Sequence, residues 1–533
     1  MDSVWSNGAT FEVRDVDMLR TDLIASVATL IQRHADERGN KVAFADAARQ
    51  VTYGELAART ANLAGHLADL GVVAGDAVAI FLPNSVNWIE SSFAITRAGA
   101  IGVPISYDAT ESEIAYRLQD ASCKVVITTD ERAAMIDAIK AQCPTVTIAI
   151  LVERGGGRGN GLRYENLATT ISKSKPRDSS SIHDAAYIIY TSGTTGRAKG
   201  VLLSVHSMLW VTASCWAPIA QLSEHDKVLS PLPLFHSYAL NLSVLSILAA
   251  GASEYIMEKF STSEALRLLG DGEFTLFPGV PTMFHYLLEA AKGNPQTALG
   301  GLRLAISAGA IMPATLNREF EARFGVMLLD GYGITETATM VTMNWPSGGR
   351  VLGSCGLPIP GLAVRIVDAA SGKDVAAGSE GELIVRGPNV MIGYHNKPQE
   401  TAAALRDGWY HTGDLAKSDE NGFLTITGRL KELIIRGGQN IAPAEIEEVV
   451  SVIDGVVDNA VVGLPHELLG EVPALFVVKR GDSNLEAEKI LNHCRERLSS
   501  YKVPFSVHFV DQIPRTGSGK IIRFKLRDML TNK

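Results

Sequence analysis

The chain has 533 residues, room for three or four structural units at about 150 residues each. Hydrophobic residues make up 46% and charged residues 20%, a globular balance that excludes a disordered or wholly membrane-embedded chain. Lys and Arg number 49 against 58 Asp and Glu, so the net charge of −9 excludes a broadly basic nucleic-acid binder.

Five cysteines (Cys123, Cys143, Cys215, Cys355 and Cys494) are scattered, with no C-x-x-C pair and no metal-ligand spacing. They predict small buried hydrophobes in a reducing, cytoplasmic setting rather than a disulfide framework. The stretch Met1–Asp17 lacks the apolar run of a signal peptide. The longest apolar stretch, Ala239–Ala252, is broken by Asn241, Ser243 and Ser246, and it falls short of the ~18 residues of a membrane span.

In chain order, Thr52 and Glu55 have the spacing of a capping box. Leu56, Leu63, Leu67 and Leu70 then follow one helical face, which Gly71 closes. Short apolar runs predict buried strands at Val78–Leu82, Lys124–Thr129, Ala185–Tyr190, Val228–Leu232, Thr275–Pro278 and Leu302–Ser307. Helical patterns between most of them imply α/β layers with largely parallel sheets. Gly155–Gly161 and the polar Ser172–Ser181 read as flexible loops.

Beyond residue 350 the pattern changes. Val364–Asp368, Glu382–Arg386 and Phe423–Thr427 read as strands of a β-rich subdomain. Strands at Leu433–Arg436, Val456–Leu464 and Ala474–Lys479, with helices at Ala444–Ile453 and Ala487–Leu498, read as a small α+β unit. The expected division is a large unit over 1–428 (350–428 its β-rich part), a hinge at 429–431 and a lid over 432–533.

The strongest chemical signal is Tyr190-Thr-Ser-Gly-Thr-Thr-Gly-Arg-Ala-Lys-Gly200, directly after a buried strand. Glycines let backbone N–H groups approach an anion, hydroxyls add donors and Lys199 adds charge, so polyphosphate binding is the natural reading. It is not a Walker A loop, because Gly200 rather than Ser or Thr follows Lys199. Gly517-Ser-Gly-Lys520 looks like the end of one, but Ile521 stands where Ser or Thr is needed. What remains there is a lysine presented on a glycine loop. In Asp330-Gly-Tyr-Gly-Ile-Thr-Glu336, Tyr332 can stack on a base, Thr335 can donate to a phosphate and Glu336 can take a hard cation such as Mg²⁺. Asp414 and Arg429 add a carboxylate for ribose hydroxyls and a guanidinium.

In this order, the segments 190–200, 330–336, 411–414, 428–431 and 514–520 resemble the adenylate-forming superfamily: acyl-CoA synthetases, peptide-synthetase adenylation domains and luciferases. The resemblance extends over about residues 25–530 and is nearest to fatty-acyl-CoA ligases. It implies that a carboxylic acid reacts with Mg²⁺-ATP to give an acyl-adenylate and pyrophosphate, after which the acyl group passes to CoA. Thr191, Ser192, Gly193, Thr194, Thr195 and Lys199 would hold the terminal phosphates. Tyr332 would stack on adenine beside Gly309 and Ala310, within the segment that contains Asp330 and Gly331. Thr335 would meet the α-phosphate, Glu336 the Mg²⁺, and Asp414 and Arg429 the ribose. Lys520 would bridge the acyl carboxylate and the α-phosphate, and Lys431 matches the family's hinge. Gly437 and Gly438 resemble the turn lining a pantetheine channel.

For the acid, His236 matches a residue that gates the acyl channel, and Tyr238, Val280, Ser307, Gly333, Thr339 and Met340 are the expected pocket walls. Pro233–Leu242 holds no Asp to pair with an amino-acid ammonium, so amino acids are disfavoured. An uncharged tail fits these walls, with a medium- or long-chain fatty acid leading and an aryl acid as the alternative. The runner-up acceptor is an acyl carrier protein. A lysine acetyltransferase is a candidate partner at Lys520, since acetylation would remove the required charge.

Overall fold

The computed structural model describes residues 18–154, 161–178, 180–191, 198–294, 296–437, 439–481, 483–515 and 520–531. Two compact units emerge. The first comprises Met1–Leu352, Gly356–Ala363 and Arg386–Gly408; the second comprises Gly353–Cys355, Val364–Val385 and Trp409–Lys533. The β-rich strands thus cluster with the C-terminal segment, and 429–431 lies inside the second unit. The fold is mixed α/β, as the alternating pattern implies.

Local chemistry accounts for the first elements. The Thr52 hydroxyl accepts from the Glu55 N–H at 3.3 Å, and the Glu55 carboxylate accepts from the Thr52 N–H at 2.8 Å. This capping box starts the helix Tyr53–Asp69, which buries Leu56, Leu63 and Leu67. Gly71 leaves it at φ +84°, a left-handed conformation that favours glycine.

Two sheets form the first unit. One has the order Gly393–Tyr394, Lys199–Ser204, Ala185–Thr191, Ile101–Pro104, Ala77–Phe81, Val125–Thr129, Ile148–Val152, Leu162–Arg163. Its strands from Ala185–Thr191 through Leu162–Arg163 pair in parallel. The other runs Leu357–Pro358, Thr342–Met343, Met327–Tyr332, Leu304–Ser307, Leu276–Gly279, Lys227–Ser230, Ser253–Ile256, Val42–Ala45, Gln50–Thr52. Helices connect successive parallel strands and cover the sheets, as parallel crossovers require. Ile114 and Leu118 of one helix pack on Ala79 and Phe81 of the first sheet. Phe284, Leu287 and Phe320 pack on Phe277 and Leu328 of the second.

The segment read as flexible at 172–181 is fastened where it is described. The Lys173 and Ser174 N–H groups donate to the Asp69 carboxylate at 2.9 and 3.0 Å, Arg177 donates to the Val72 carbonyl at 2.9 Å, and Arg97 pairs with Asp178 at 2.9 Å. The glycine run at 155–160 lies outside the described residues. The apolar stretch near 239–252 is an internal helix whose π-helical part, Leu240–Ser246, is wholly buried. Among the described residues, no helix is long and apolar enough to cross a membrane. The five cysteines are free and buried.

Glu254 lies on an interior strand of the second sheet, beside Val228 and Phe44, and burial pushes its carboxyl well above the usual range. The Ser243 hydroxyl works weakly against that shift. The folded state therefore keeps this proton where the unfolded chain has lost it, and stability falls as pH rises above the unfolded value of about 4.3. Glu254→Gln should remove that slope. Denaturant titrations from pH 5 to 8 should show the variant gaining on the parent by at most about 1.4 kcal/mol per pH unit. Parallel stability curves would contradict the burial argument.

Ala363–Val367 and Gly381–Arg386, all but one terminal residue of each in the second unit, belong to one sheet with Trp409–Ser418 and Leu424–Arg429. Gln439–Ile441, Ile434–Arg436, Gly470–Lys479 and Val456–His466 form another, and Ser506–Phe509 joins it in parallel. Helices Pro443–Ser451 and Ala487–Arg497 bury Ile446, Val450, Ile490 and Cys494 against Val461 and Leu475.

Candidate active site

Strands Ala185–Thr191 and Lys199–Ser204 form an antiparallel hairpin in which Thr191 pairs with Lys199 and Tyr190 with Gly200. Ser192, Gly193, Thr194 and Thr195 come between these strands in sequence and are outside the described residues. The residues flanking that interval are anchored on both sides. The Tyr190 hydroxyl donates to Asp120 Oδ2 at 2.6 Å, and the Tyr116 hydroxyl donates to the Ala198 carbonyl at 2.8 Å. Burial and the Asp120 carboxylate push the Tyr190 phenol far up, so it stays a donor. Lys199 places its ammonium 5.1 Å from the ring centre of Tyr394.

Within the first unit, residues of the Asp330–Glu336 motif and of the expected pocket follow the carboxyl ends of three neighbouring parallel strands, Leu276–Gly279, Leu304–Ser307 and Met327–Tyr332. That edge is where open α/β sheets bind ligands. Val280, Gly309 and Ala310 follow the first two strands, and Asp330, Gly331 and Tyr332 end the third. Gly309 has φ +87°. Asp330 sits beside Ser307 in register, and burial raises its carboxyl well above the usual range, with the Gly331 N–H opposing weakly. Thr335 is buried and shares a hydrogen bond of 3.1 Å with Ser237. Glu336 is half-buried; its carbonyl accepts from the Met391 N–H at 2.8 Å and its Oε1 accepts from the Tyr394 hydroxyl at 3.0 Å.

The backbone after Glu336 is strained. Ala338 has φ +49° and Thr339 φ +106°, conformations that residues with a Cβ rarely hold. Two buried amides hold them. Asn389 donates to the Thr337 and Met340 carbonyls at 2.9 and 2.7 Å, and Asn241 donates to the Ala338 carbonyl at 3.1 Å. Trp216 in turn donates to Asn241 Oδ1 at 2.6 Å. This loop closes so tightly on Gly333 that a Cβ there would lie 1.3 Å from the Thr339 carbonyl oxygen. Only glycine fits.

The expected acyl-pocket residues share this region. Tyr238 is buried, stacks on Trp216 with ring centres 6.2 Å apart, and donates to the Ile306 carbonyl at 3.3 Å. His236 caps a short helix, its Nδ1 accepting from the Tyr238 N–H at 3.3 Å. Met340 is fully buried. The hydroxyls of Ser307 and Thr339 are buried and have no hydrogen-bond partner among the described residues.

In the second unit, Asp414 and Arg429 face each other across paired strands and form an ion pair of 2.7 Å. Asp414 is buried and Arg429 half-exposed. Lys431 lies on the turn Leu430–Glu432. Gly437, at φ +57°, donates to the Leu469 carbonyl at 2.7 Å, and Gly438 lies outside the described residues. Lys520 is half-buried and ends the interval between Arg515 and Ile521, which pair antiparallel.

A family model described as AMP-binding enzyme matches residues 31–395, well over half of the chain. The chain belongs to the AMP-binding enzyme family. The model of that family's C-terminal domain matches residues 445–520. Feruloyl-CoA synthase of Amycolatopsis sp is 35% identical over 90% of this AMP-binding enzyme and 93% of its own length. Long-chain-fatty-acid–CoA ligase of Yersinia pestis is 33% identical over 99% and 98%. The crystal structure of ATP-bound MatB from Rhodopseudomonas palustris superposes with a TM-score of 0.87 at 33% identity, covering 94% of this chain and 98% of that one. Two other curated relatives are far longer, and the chain spans 18% and 19% of their length.

Mg²⁺ binding can be tested against the residues present. Among the described residues, no group of three or more His, Cys, Asp or Glu could cage a metal. Mg²⁺ is commonly held by one or two carboxylates together with substrate phosphates and water, so Glu336 beside the Lys199 hairpin fits. When bound there, Mg²⁺ would neutralise phosphate charge.

Three residues that sequence reasoning missed shape this site: Asn241 and Asn389, which clamp the strained loop, and Tyr394, which touches both Lys199 and Glu336. The motif Gly393-Tyr394 carried no chemical signal of its own.

Proposed function

We propose that this AMP-binding enzyme, an AMP-forming acid–thiol ligase, activates a compact aryl or arylpropenoic acid and transfers it to CoA. The acid's carboxylate oxygen attacks the α-phosphorus of ATP, pyrophosphate leaves, and the CoA sulfur then displaces AMP from the acyl carbon. Lys199 and the Thr191 hairpin meet the terminal phosphates, Thr335 the α-phosphate, Tyr332 the adenine, and Asp414 and Arg429 the ribose. Lys520 offsets the repulsion between the two reacting anions.

The choice of acid rests on the residues expected to line the acyl pocket. Tyr238, stacked on Trp216, would supply an aromatic wall, and the buried Ser307 and Thr339 hydroxyls have no hydrogen-bond partner among the described residues. A saturated tail would offer these hydroxyls no partner and so forgo about 0.5–1.5 kcal/mol per hydrogen bond. A ring hydroxyl or methoxyl would pair with them. The feruloyl-CoA synthase relative supports the same class. A fatty acid is the second reading, favoured by the apolar Val280 and Met340 and by the Yersinia pestis relative.

Pyrophosphate release would be measured for straight-chain acids from acetate to stearate and for benzoate, cinnamate, coumarate and ferulate, with and without CoA. Hydroxylated aryl acids should exceed the best alkyl acid in kcat/KM by roughly tenfold or more. An alkyl optimum would replace the proposal with the fatty-acid reading. Adenylate without CoA thioester would move the acceptor to a carrier protein.

A further inference from the structure

Lys199 and Glu336 carry opposite charges on neighbouring parts of the site, yet no ion pair joins them. Tyr394 stands between. It belongs to a two-residue strand, Gly393–Tyr394, that pairs antiparallel with Lys199–Ser204, setting Tyr394 opposite Val201. Its ring takes the Lys199 ammonium on one face at 5.1 Å, and its hydroxyl donates to Glu336 Oε1 at 3.0 Å. The main chain is fixed as well. The Tyr394 N–H donates to Thr401 Oγ1 at 2.9 Å, and the Met391 N–H, three residues earlier, donates to the Glu336 carbonyl at 2.8 Å. One short segment thus grips Glu336 by backbone and by side chain, and holds Lys199 by a cation–π contact.

We propose that Tyr394 is a positioning residue: a spacer that stops Lys199 and Glu336 from neutralising each other and that engages one carboxylate oxygen, Oε1, so that Oε2 is aimed at a divalent cation. The proposal rests on the reading that Lys199 meets the terminal phosphates and Glu336 the Mg²⁺. Direct pairing of the two side chains would cost the site twice, removing a cation from the phosphates and an anion from the metal. A phenol suits the task because it is polar at one end, π-rich on its face and neutral at working pH.

The test uses full-length protein and three variants, Tyr394→Phe, Tyr394→Leu and the double variant Tyr394→Leu/Glu336→Gln. Two binding constants are measured for each: ATP in EDTA by calorimetry, and Mn²⁺ to the ATP complex by electron paramagnetic resonance. Tyr394→Phe keeps the ring and loses the hydroxyl. It should bind metal-free ATP like the parent and should weaken Mn²⁺ by roughly 10- to 100-fold, the usual cost of losing the group that orients a metal ligand. Tyr394→Leu removes the spacer, so metal-free ATP should also weaken, by roughly fivefold or more. Neutralising Glu336 in that background should restore metal-free ATP binding, which a merely structural defect would not allow. Parent-like Mn²⁺ affinity in Tyr394→Phe, or no rescue by Glu336→Gln, overturns the spacer. A parent chain that binds no ATP overturns the underlying reading as well, so the two failures are distinguishable.

Discussion

Replacing Lys520 by alanine is expected to slow acyl-adenylate formation by roughly 10²–10³-fold, the usual cost of removing one preorganised charge from a transition state. The adenylation half-reaction brings a carboxylate against a polyphosphate. Both reactants are anions, and negative charge on the attacked phosphoryl group must be stabilised as the bond forms. A lysine ammonium is a compact point charge suited to lie between two anions. The thioester half-reaction has no such demand, because AMP is already the leaving group and the nucleophile is a sulfur. A synthetic acyl-adenylate supplied with CoA should therefore be converted by Lys520→Ala at about the parental rate. Lys520 is half-buried and contributes to neither of the unit's two large buried apolar clusters, so the variant should stay folded. Pyrophosphate release and thioester formation from the adenylate, measured separately, check this. Equal losses in both halves would remove Lys520 from its assigned role.

How much of this was legible in the sequence depends on whether the residues are contiguous. Thr335 and Glu336 stand in one short motif, and the Thr191–Lys199 hairpin follows a strand whose apolar run is plain, so both were readable. The strained pair Ala338 and Thr339 was not, because nothing in Ala-Thr announces a positive φ. The strain is sustained by Asn241 and Asn389, nearly 100 residues before and about 50 after, through hydrogen bonds no local pattern encodes. Tyr394 was missed for a related reason. A strand of two residues has no periodicity to detect, and its partner strand lies nearly 200 residues away. The stretch 172–178 misled in the other direction. Its Ser, Lys and Pro content signals a loose loop, whereas the carboxylate that fastens it, Asp69, belongs to a helix about 100 residues earlier. Composition reports solvation preference; it does not report a partner elsewhere in the chain.

The second large effect is expected at Arg523, three residues beyond Lys520. Its guanidinium meets Glu432 at 3.0 Å, Glu447 at 2.5 and 3.2 Å, and the Val461 carbonyl at 2.7 Å. Glu447 also accepts from the Val461 N–H at 2.7 Å. One side chain thereby ties together the turn beside Lys431, the helix Pro443–Ser451, the strand Val456–His466 and the start of the helix Arg523–Thr531. On the other side of the lysine interval, Arg515 holds Asp458 of the same strand at 2.8 and 3.0 Å. The interval carrying Lys520 is thus stapled at both ends to Val456–His466. Arg523→Met keeps the length and apolar stem but strands two half-buried carboxylates. Breaking a pair this partly exposed should cost about 1–3 kcal/mol, less than a fully buried pair, because solvent screens part of the uncompensated charge. Arg515→Met, which breaks an ion pair with one carboxylate rather than two, should cost about 1 kcal/mol or less. If stranded charge is the cause, adding Glu447→Gln to Arg523→Met should recover part of the loss, and a double-mutant cycle in denaturant would read the coupling. Strict additivity would mean that Arg523 acts through packing alone. Arg523→Lys should restore charge without the planar fork that serves three acceptors, and so should fall between the two. Because this arginine fixes the frame that presents Lys520, adenylation in the variants should decline along with stability. Conversion of a supplied acyl-adenylate should survive in whatever fraction remains folded, which separates a misplaced lysine from a lost site.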